Sequence, residues 1–184
     1  MKARVAVVAL ALSALTRVGA AQGSMAGMQM GAPVADALRN METRFARMLP
    51  AALETMPADK WGYKPTPAQM SVGAIAVHLA EGNDQLCSTV SGMAAPTRDK
   101  VADTDSKEKL LARLKETFDF CQTALAKLDD SKLGEELPLF GGKYSRATVI
   151  LITVGDWEDH YSQLSNYLRL NGLLPPSAQP KKSM

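Results

Sequence analysis

Asp156 and His160 stand four residues apart in the stretch Gly155-Asp156-Trp157-Glu158-Asp159-His160-Tyr161. On a helix, positions i and i+4 lie one turn above each other, so this carboxylate and imidazole can face a single ion. Their neighbours Val149, Ile152, Leu164 and Tyr167 recur as a buried helical face, which puts two metal-capable groups where apolar residues are expected. The chain has one other histidine, His78, within a second apolar-periodic stretch from Ser71 to about Met93. Two histidines and one carboxylate form a facial ligand set for divalent transition metals, with positions left open for water or substrate. An aspartate inside an apolar stripe is costly unless something compensates its charge. A divalent ion would do so, as would Arg146 or Lys143 near the start of the same segment, or a plain His–Asp hydrogen bond. Glu81, one turn from His78, can act as an acceptor behind an imidazole, as a fourth ligand or as a general base. Asp159 can orient an imidazole. For both, a solvent-facing charge is the alternative.

Other chemistries find little footing. Neither cysteine has a histidine in a local motif, and no nucleophile-elbow, phosphate-loop or dinucleotide fingerprint occurs. Trp61, Tyr63, Trp157 and Tyr161 can line the mouth of a cavity or simply pack. The formal charge of +2 comes from well-mixed signs with few aromatics, which gives no support to nucleic-acid binding.

Four amphipathic segments must position these residues. The first runs from Pro33, suited to a first helical turn, to Thr55, with Pro50 expected to kink or end it. The second opens at Ser71, a good N-cap, and carries Val72, Ile75, Leu79, Leu86 and Val90. The third begins after Asp105, paired with Glu108 in a capping-box-like spacing, and continues to Leu125 and Leu128. The fourth runs from Ser145 to Leu170 and stops at Asn171-Gly172 ahead of Pro175-Pro176. No segment alternates with period two for long enough to read as a strand. The economical architecture is therefore an all-α four-helix bundle with its polar groups planted in the core. The connection from about Ala94 to Thr104 is long enough to cross over to a parallel neighbour. Leu139-Phe140-Gly141-Gly142 can fold over one end of the bundle as a lid.

The chain has two cysteines, Cys87 and Cys121. They lie roughly 24 and 22 Å along the second and third segments at 1.5 Å per residue, so they are level only if those helices run parallel. One disulfide and two separate buried thiols are both open.

The chain has 184 residues, and its first part reads as a leader rather than as fold. Lys2 and Arg4 precede an apolar run from Val5 to Leu15, followed by small residues to Ala21, the pattern of a signal peptide. The expected organisation is signal peptide 1–21, flexible linker 22–32, bundle 33–175 and disordered tail 176–184. Export to the periplasm or beyond follows, with no integral membrane span in the mature chain. Met25, Met28 and Met30 in the linker are soft donors that copper could use, or no more than part of a small-residue tether.

Two blocks carry a resemblance. Met56-Pro57-Ala58-Asp59-Lys60-Trp61-Gly62-Tyr63-Lys64-Pro65-Thr66-Pro67, then Ser71-Val72-Gly73 and His78-Leu79-Ala80-Glu81, form the first. His160-Tyr161-Ser162-Gln163-Leu164, then Tyr167 to Gly172 and Pro175-Pro176, form the second. Together, over residues 34–177, the chain resembles DinB/YfiT-like proteins. The resemblance implies a four-helix bundle holding a divalent metal, often zinc, nickel or iron, through one histidine of the second helix and a His-x-x-x-His pair on the last. Those positions fall on His78, Asp156 and His160, so an aspartate replaces the middle histidine. That exchange favours harder ions such as manganese or iron over zinc, or marks a relative that binds no metal. The resemblance also implies, for some branches, thiol transferases. Here the expectation is a metal-dependent hydrolase or thiol transferase acting on a small molecule, with a non-catalytic small-ligand-binding bundle as the alternative.

Overall fold

The computed structural model of the chain describes residues 31–180. The expected signal peptide, most of the linker with Met25, Met28 and Met30, and the last four residues lie outside the described residues. Four helices dominate: α1 (Pro33–Thr55), α2 (Val72–Ser91), α3 (Lys107–Leu125) and α4 (Arg146–Leu170). A two-stranded antiparallel hairpin, β1 (Glu136–Leu139) and β2 (Gly142–Ser145), precedes α4. Among the described residues no helix is long and apolar enough to cross a membrane.

Local chemistry sets most boundaries. Ser71 caps α2 by accepting from Ala74 N–H, and Ser145 caps α4 by accepting from Thr148 N–H. α2 stops where Gly92 takes a φ of 78°, and α4 where Gly172 takes 73°. The cap of α3 is Ser106, not Asp105. Asp105 is drawn away because its carboxylate accepts from Ala102 N–H and binds Lys109 Nζ at 2.8 Å. α1 continues through Pro50 to Thr55, with Pro50 buried in its wall. The proline therefore does not end the helix, whose apolar stripe of Leu38, Phe45, Leu49 and Leu53 stays in the core.

Side-chain contacts fix the directions. Asn83 meets Thr117 and Cys87 meets Cys121, so numbers rise together and α2 and α3 run parallel. The Cys87–Cys121 bridge is formed, with Cα atoms 5.2 Å apart. Parallel neighbours need a crossover, and residues 92–106 supply it. Arg98 grips Asp84 through two bonds of 2.7 and 3.2 Å, and Arg113 donates to Asp99 O. The crossover passes so close to α2 that a Cβ at Gly73 would stand 2.2 Å from Asp103 O, which only glycine tolerates.

α4 runs antiparallel to α2, since Tyr167 near its end reaches Met70 just before α2 begins. α1 runs antiparallel to α3, as Arg39 bonds to Leu125 O and Leu128 O while Glu54 pairs with Lys115. Phe45, Phe118, Trp157 and Tyr161 form the aromatic centre where α1, α3 and α4 meet.

The hairpin is a departure from the expectation of helices alone. Its strands have four residues each and one contains Pro138, too short a pattern to read as alternation. Phe140 and Gly141 both take positive φ, 50° and 77°, the requirement of a tight two-residue hairpin turn. Leu137 and Leu139 point into the core while Phe140 stays exposed, so the segment does fold over one end of the bundle. The expected disordered tail also begins with structure. Pro176–Ala178 form a 3-10 turn, because paired prolines preset the backbone and Ser177 N–H donates to the Tyr161 hydroxyl.

Candidate metal centre

The three sequence-identified ligands come together. His78 on the second turn of α2 places Nε2 3.2 Å from Asp156 Oδ1 on α4, and His160 Nε2 lies 3.5 Å from the same oxygen. The two imidazoles meet edge to face, ring centres 4.6 Å apart. One donor atom from each residue lies within 4.8 Å of the others. The spacing i, i+4 on α4 and the antiparallel approach of α2 produce this without any loop contribution.

The cluster does not lie wholly in the core. His160 is buried and Asp156 largely so, but the His78 side chain is 47 % exposed. The site thus lies at the α2–α4 seam, with His160 on its buried side and His78 on its exposed side. Asp156 reaches inward against Gly82, where a Cβ would stand 3.3 Å from Oδ2. Burial pushes the Asp156 carboxyl up, but the imidazoles of His160 and His78 outweigh it and hold the group below the ordinary carboxylate range.

Does this set fit a divalent ion? Two donors each ~2.1 Å from one ion lie roughly 3.0–3.5 Å apart at the angles of ordinary coordination, which matches both N···O separations. Asp156 Oδ2 and His160 Nδ1 are buried with no hydrogen-bond partner. An unpaired buried carboxylate oxygen is costly, and a cation shared through that carboxylate removes much of the cost. The residues present fit the group.

Glu81 and Asp159 do not join. Glu81 is exposed on the outer face of α2. Asp159 is exposed and accepts from Gln163 Nε2 at 2.7 Å. Both therefore take the solvent-facing alternative. Tyr161 packs against Phe45 and accepts from Ser177, and Trp157 is fully buried, so neither lines a mouth.

Sequence reasoning passed over Asn83. Its buried amide accepts from Trp157 Nε1 at 2.7 Å and donates to Thr117 Oγ1 at 3.1 Å, joining α4, α2 and α3 in one chain of bonds. Trp157 adjoins Asp156, so this amide fixes how α4 is turned toward α2. The available signal was a single polar residue on the apolar side of α2, between Leu79 and Leu86.

The sequence profile described as the DinB superfamily matches residues 42–164. No curated protein matches. Among solved structures, a DinB-like protein from Bacillus subtilis is similar at TM-score 0.60 and 18 % identity, covering 74 % of this chain and 92 % of its own. A DinB-like protein from Bacillus cereus gives 0.63 at 14 % identity, covering 78 % of this chain and 97 % of its own. At these identities the likeness is one of fold.

Proposed function

This chain belongs to the DinB superfamily, and from that premise we propose that it is an exported metal-binding bundle whose His78, Asp156 and His160 hold one divalent transition metal for chemistry on a small molecule. The observation that carries the reading is the convergence of one donor atom from each of the three residues within 4.8 Å, with both imidazoles set against Asp156 Oδ1. When bound, such an ion supplies Lewis acidity, bringing the pKa of a water or thiol down toward neutrality. That single property serves hydrolysis and thiol transfer alike.

The rest falls to the chain. Asp156 contributes a charge held ionised and a hard oxygen, which biases the set toward manganese or iron over zinc. His160 closes the inner wall and keeps bulk water from the buried side, while the half-exposed His78 leaves an entry for a small substrate. The Cys87–Cys121 bridge supports export, because such bonds persist in oxidising compartments. Scarcity of cytosolic thiol cofactors there favours hydrolysis.

A second reading rests on its own observation. Glu81 and Asp159 are both exposed, so neither of these two carboxylates is held against the cluster as a general base, which favours binding without catalysis. Elemental analysis of protein purified without chelator, beside Asp156→Ala and His160→Ala variants, tests the metal claim. Near-stoichiometric metal that falls in both variants is expected. Absence of metal after reconstitution with manganese, iron, nickel and zinc refutes it. A metal-loaded protein inert toward hydrolysable and electrophilic small molecules selects the second reading.

A further inference from the structure

Gly82 stands in the interior of α2 (Val72–Ser91), where glycine weakens a helix and almost any other residue would hold it better. What lies across the seam accounts for it. A Cβ added at Gly82 would stand 3.3 Å from Asp156 Oδ2, tighter than ordinary van der Waals contact. Oδ2 is buried without a hydrogen-bond partner, whereas Oδ1 of the same carboxylate faces His78 Nε2 at 3.2 Å and His160 Nε2 at 3.5 Å. The carboxylate is therefore turned edge-on, with one oxygen laid against the bare backbone of α2 and the other set toward both imidazoles.

Parting the two helices cannot make room for a methyl group at this level. Asn83 follows Gly82, Trp157 follows Asp156, and the buried bond of 2.7 Å between Asn83 Oδ1 and Trp157 Nε1 ties α2 to α4 there. Trp157 is itself fully buried. The carboxylate must give way instead, and with α2 behind Oδ2 its free direction is away from the helix, which carries Oδ1 off its present line to the imidazoles. A contact of this closeness asks for a shift of a few tenths of an ångström. Ligand distances in a metal site hold to within about 0.2 Å, so a shift of that size matters to an ion.

We infer that Gly82 is a positioning residue for the candidate metal centre: its missing side chain lets Asp156 Oδ2 seat against α2 and so aims Oδ1 at His78 and His160. Gly82 acts through Asp156 and supplies no ligand. The carboxylate's orientation belongs to the metal-free chain, while its consequence for an ion rests on the metal reading above.

Cobalt(II) titration followed by visible absorption tests the consequence, because cobalt binds such donors more tightly than manganese or iron do and its spectrum reports coordination. Gly82→Ala is expected to weaken cobalt about tenfold and to alter that spectrum, while the metal-free variant keeps the parent's urea midpoint. Gly155→Ala is the control. Gly155 also lies inside a helix and adjoins Asp156, but a Cβ there meets nothing within 4 Å, so affinity and spectrum should stay as in the parent. In the metal-free proteins, the ring-nitrogen resonances of His78 and His160 should shift in Gly82→Ala and hold in Gly155→Ala. Unmoved ring resonances, or a cobalt affinity that Gly82→Ala leaves unchanged, overturns the inference. A collapse of the urea midpoint in that variant does so too, since Gly82 would then be a packing position. A parent that takes up no cobalt refutes the metal reading alone, because the ring resonances test the orientation without an ion.

Discussion

Replacing Glu42 with Gln should make the protein more stable at neutral and alkaline pH and leave it nearly unchanged in acid. Glu42 lies on the inward side of α1 with only 3 % of its surface exposed. Its hydrogen-bonding company is poor, a 3.4 Å contact from the hydroxyl of its neighbour Thr43. Burial raises its carboxyl from 4.5 to about 7; the Thr43 contact offsets part of this and the charge of Asp119 on α3 adds to it. The folded pKa lies above the unfolded one, so the stabilisation from holding the proton is complete below pH 4.5 and lost as pH rises through 7. The gap of about 2.5 pK units at 1.36 kcal/mol each corresponds to about 3 kcal/mol lost between pH 4.5 and 8. Gln keeps the shape and never ionises. Urea unfolding at pH 5, 6, 7 and 8, followed by the fluorescence of buried Trp157 and Trp61, gives both curves. The difference between variant and parent should grow from about 1 kcal/mol at pH 5 to about 3 kcal/mol at pH 8, with m unchanged. Parallel curves would show that Glu42 is solvated in solution, and the reasoning from its burial would fail.

Three other perturbations follow from the packing. Changing Cys87 and Cys121 together to Ser removes a closure spanning 34 residues, and should cost about 3–4 kcal/mol in urea unfolding. Gly73→Ala drives a methyl into Asp103 O, so a loss of about 2 kcal/mol or more is expected, with hydrogen exchange rising first in the crossover 92–106. Asn83→Ala leaves the Trp157 indole N–H without its acceptor and Thr117 Oγ1 without its donor in the core, and should cost about 2–4 kcal/mol. It should also weaken metal affinity at the neighbouring site, whereas the cysteine pair should not.

The helices were legible because their signals are local. Ser71 and Ser145 cap by their own side chains, glycines at 92 and 172 stop what they follow, and apolar spacing gives the faces. The His78, Asp156 and His160 cluster was legible for a similar reason, since an i, i+4 pair needs only a helix, and the chain holds one further histidine to complete it. What the sequence concealed was orientation about each axis. His78 and Glu81 sit one turn apart, yet one turns toward α4 and the other to water, and a small rotation decides which. Asn83 looks like any helix amide until Trp157 and Thr117 are brought to it by two other helices. The parallel run of α2 and α3 could be inferred only from the level of the two cysteines, and the hairpin's four-residue strands carry too little periodicity to register.

The candidate metal centre owes its geometry to two pins that have nothing to do with a metal. On α2 and the residues leading into it, His78 lies between Met70 and Asn83. On α4 the partners of those two residues are Tyr167 and Trp157, bonded at 3.0 and 2.7 Å. A slip of one residue along the seam moves donors by ~1.5 Å, enough to break both bonds, so the register of α2 against α4 is set before any ion arrives. The disulfide and the Thr117 bond hold α2 from its other side, against α3. A site prepared in this way should not need metal to fold. Chelation should therefore leave global unfolding by urea little changed while loosening the α4 backbone around Asp156 in hydrogen exchange. If stripping the metal instead unfolds the bundle, the ion rather than these two pins would be what joins α2 to α4.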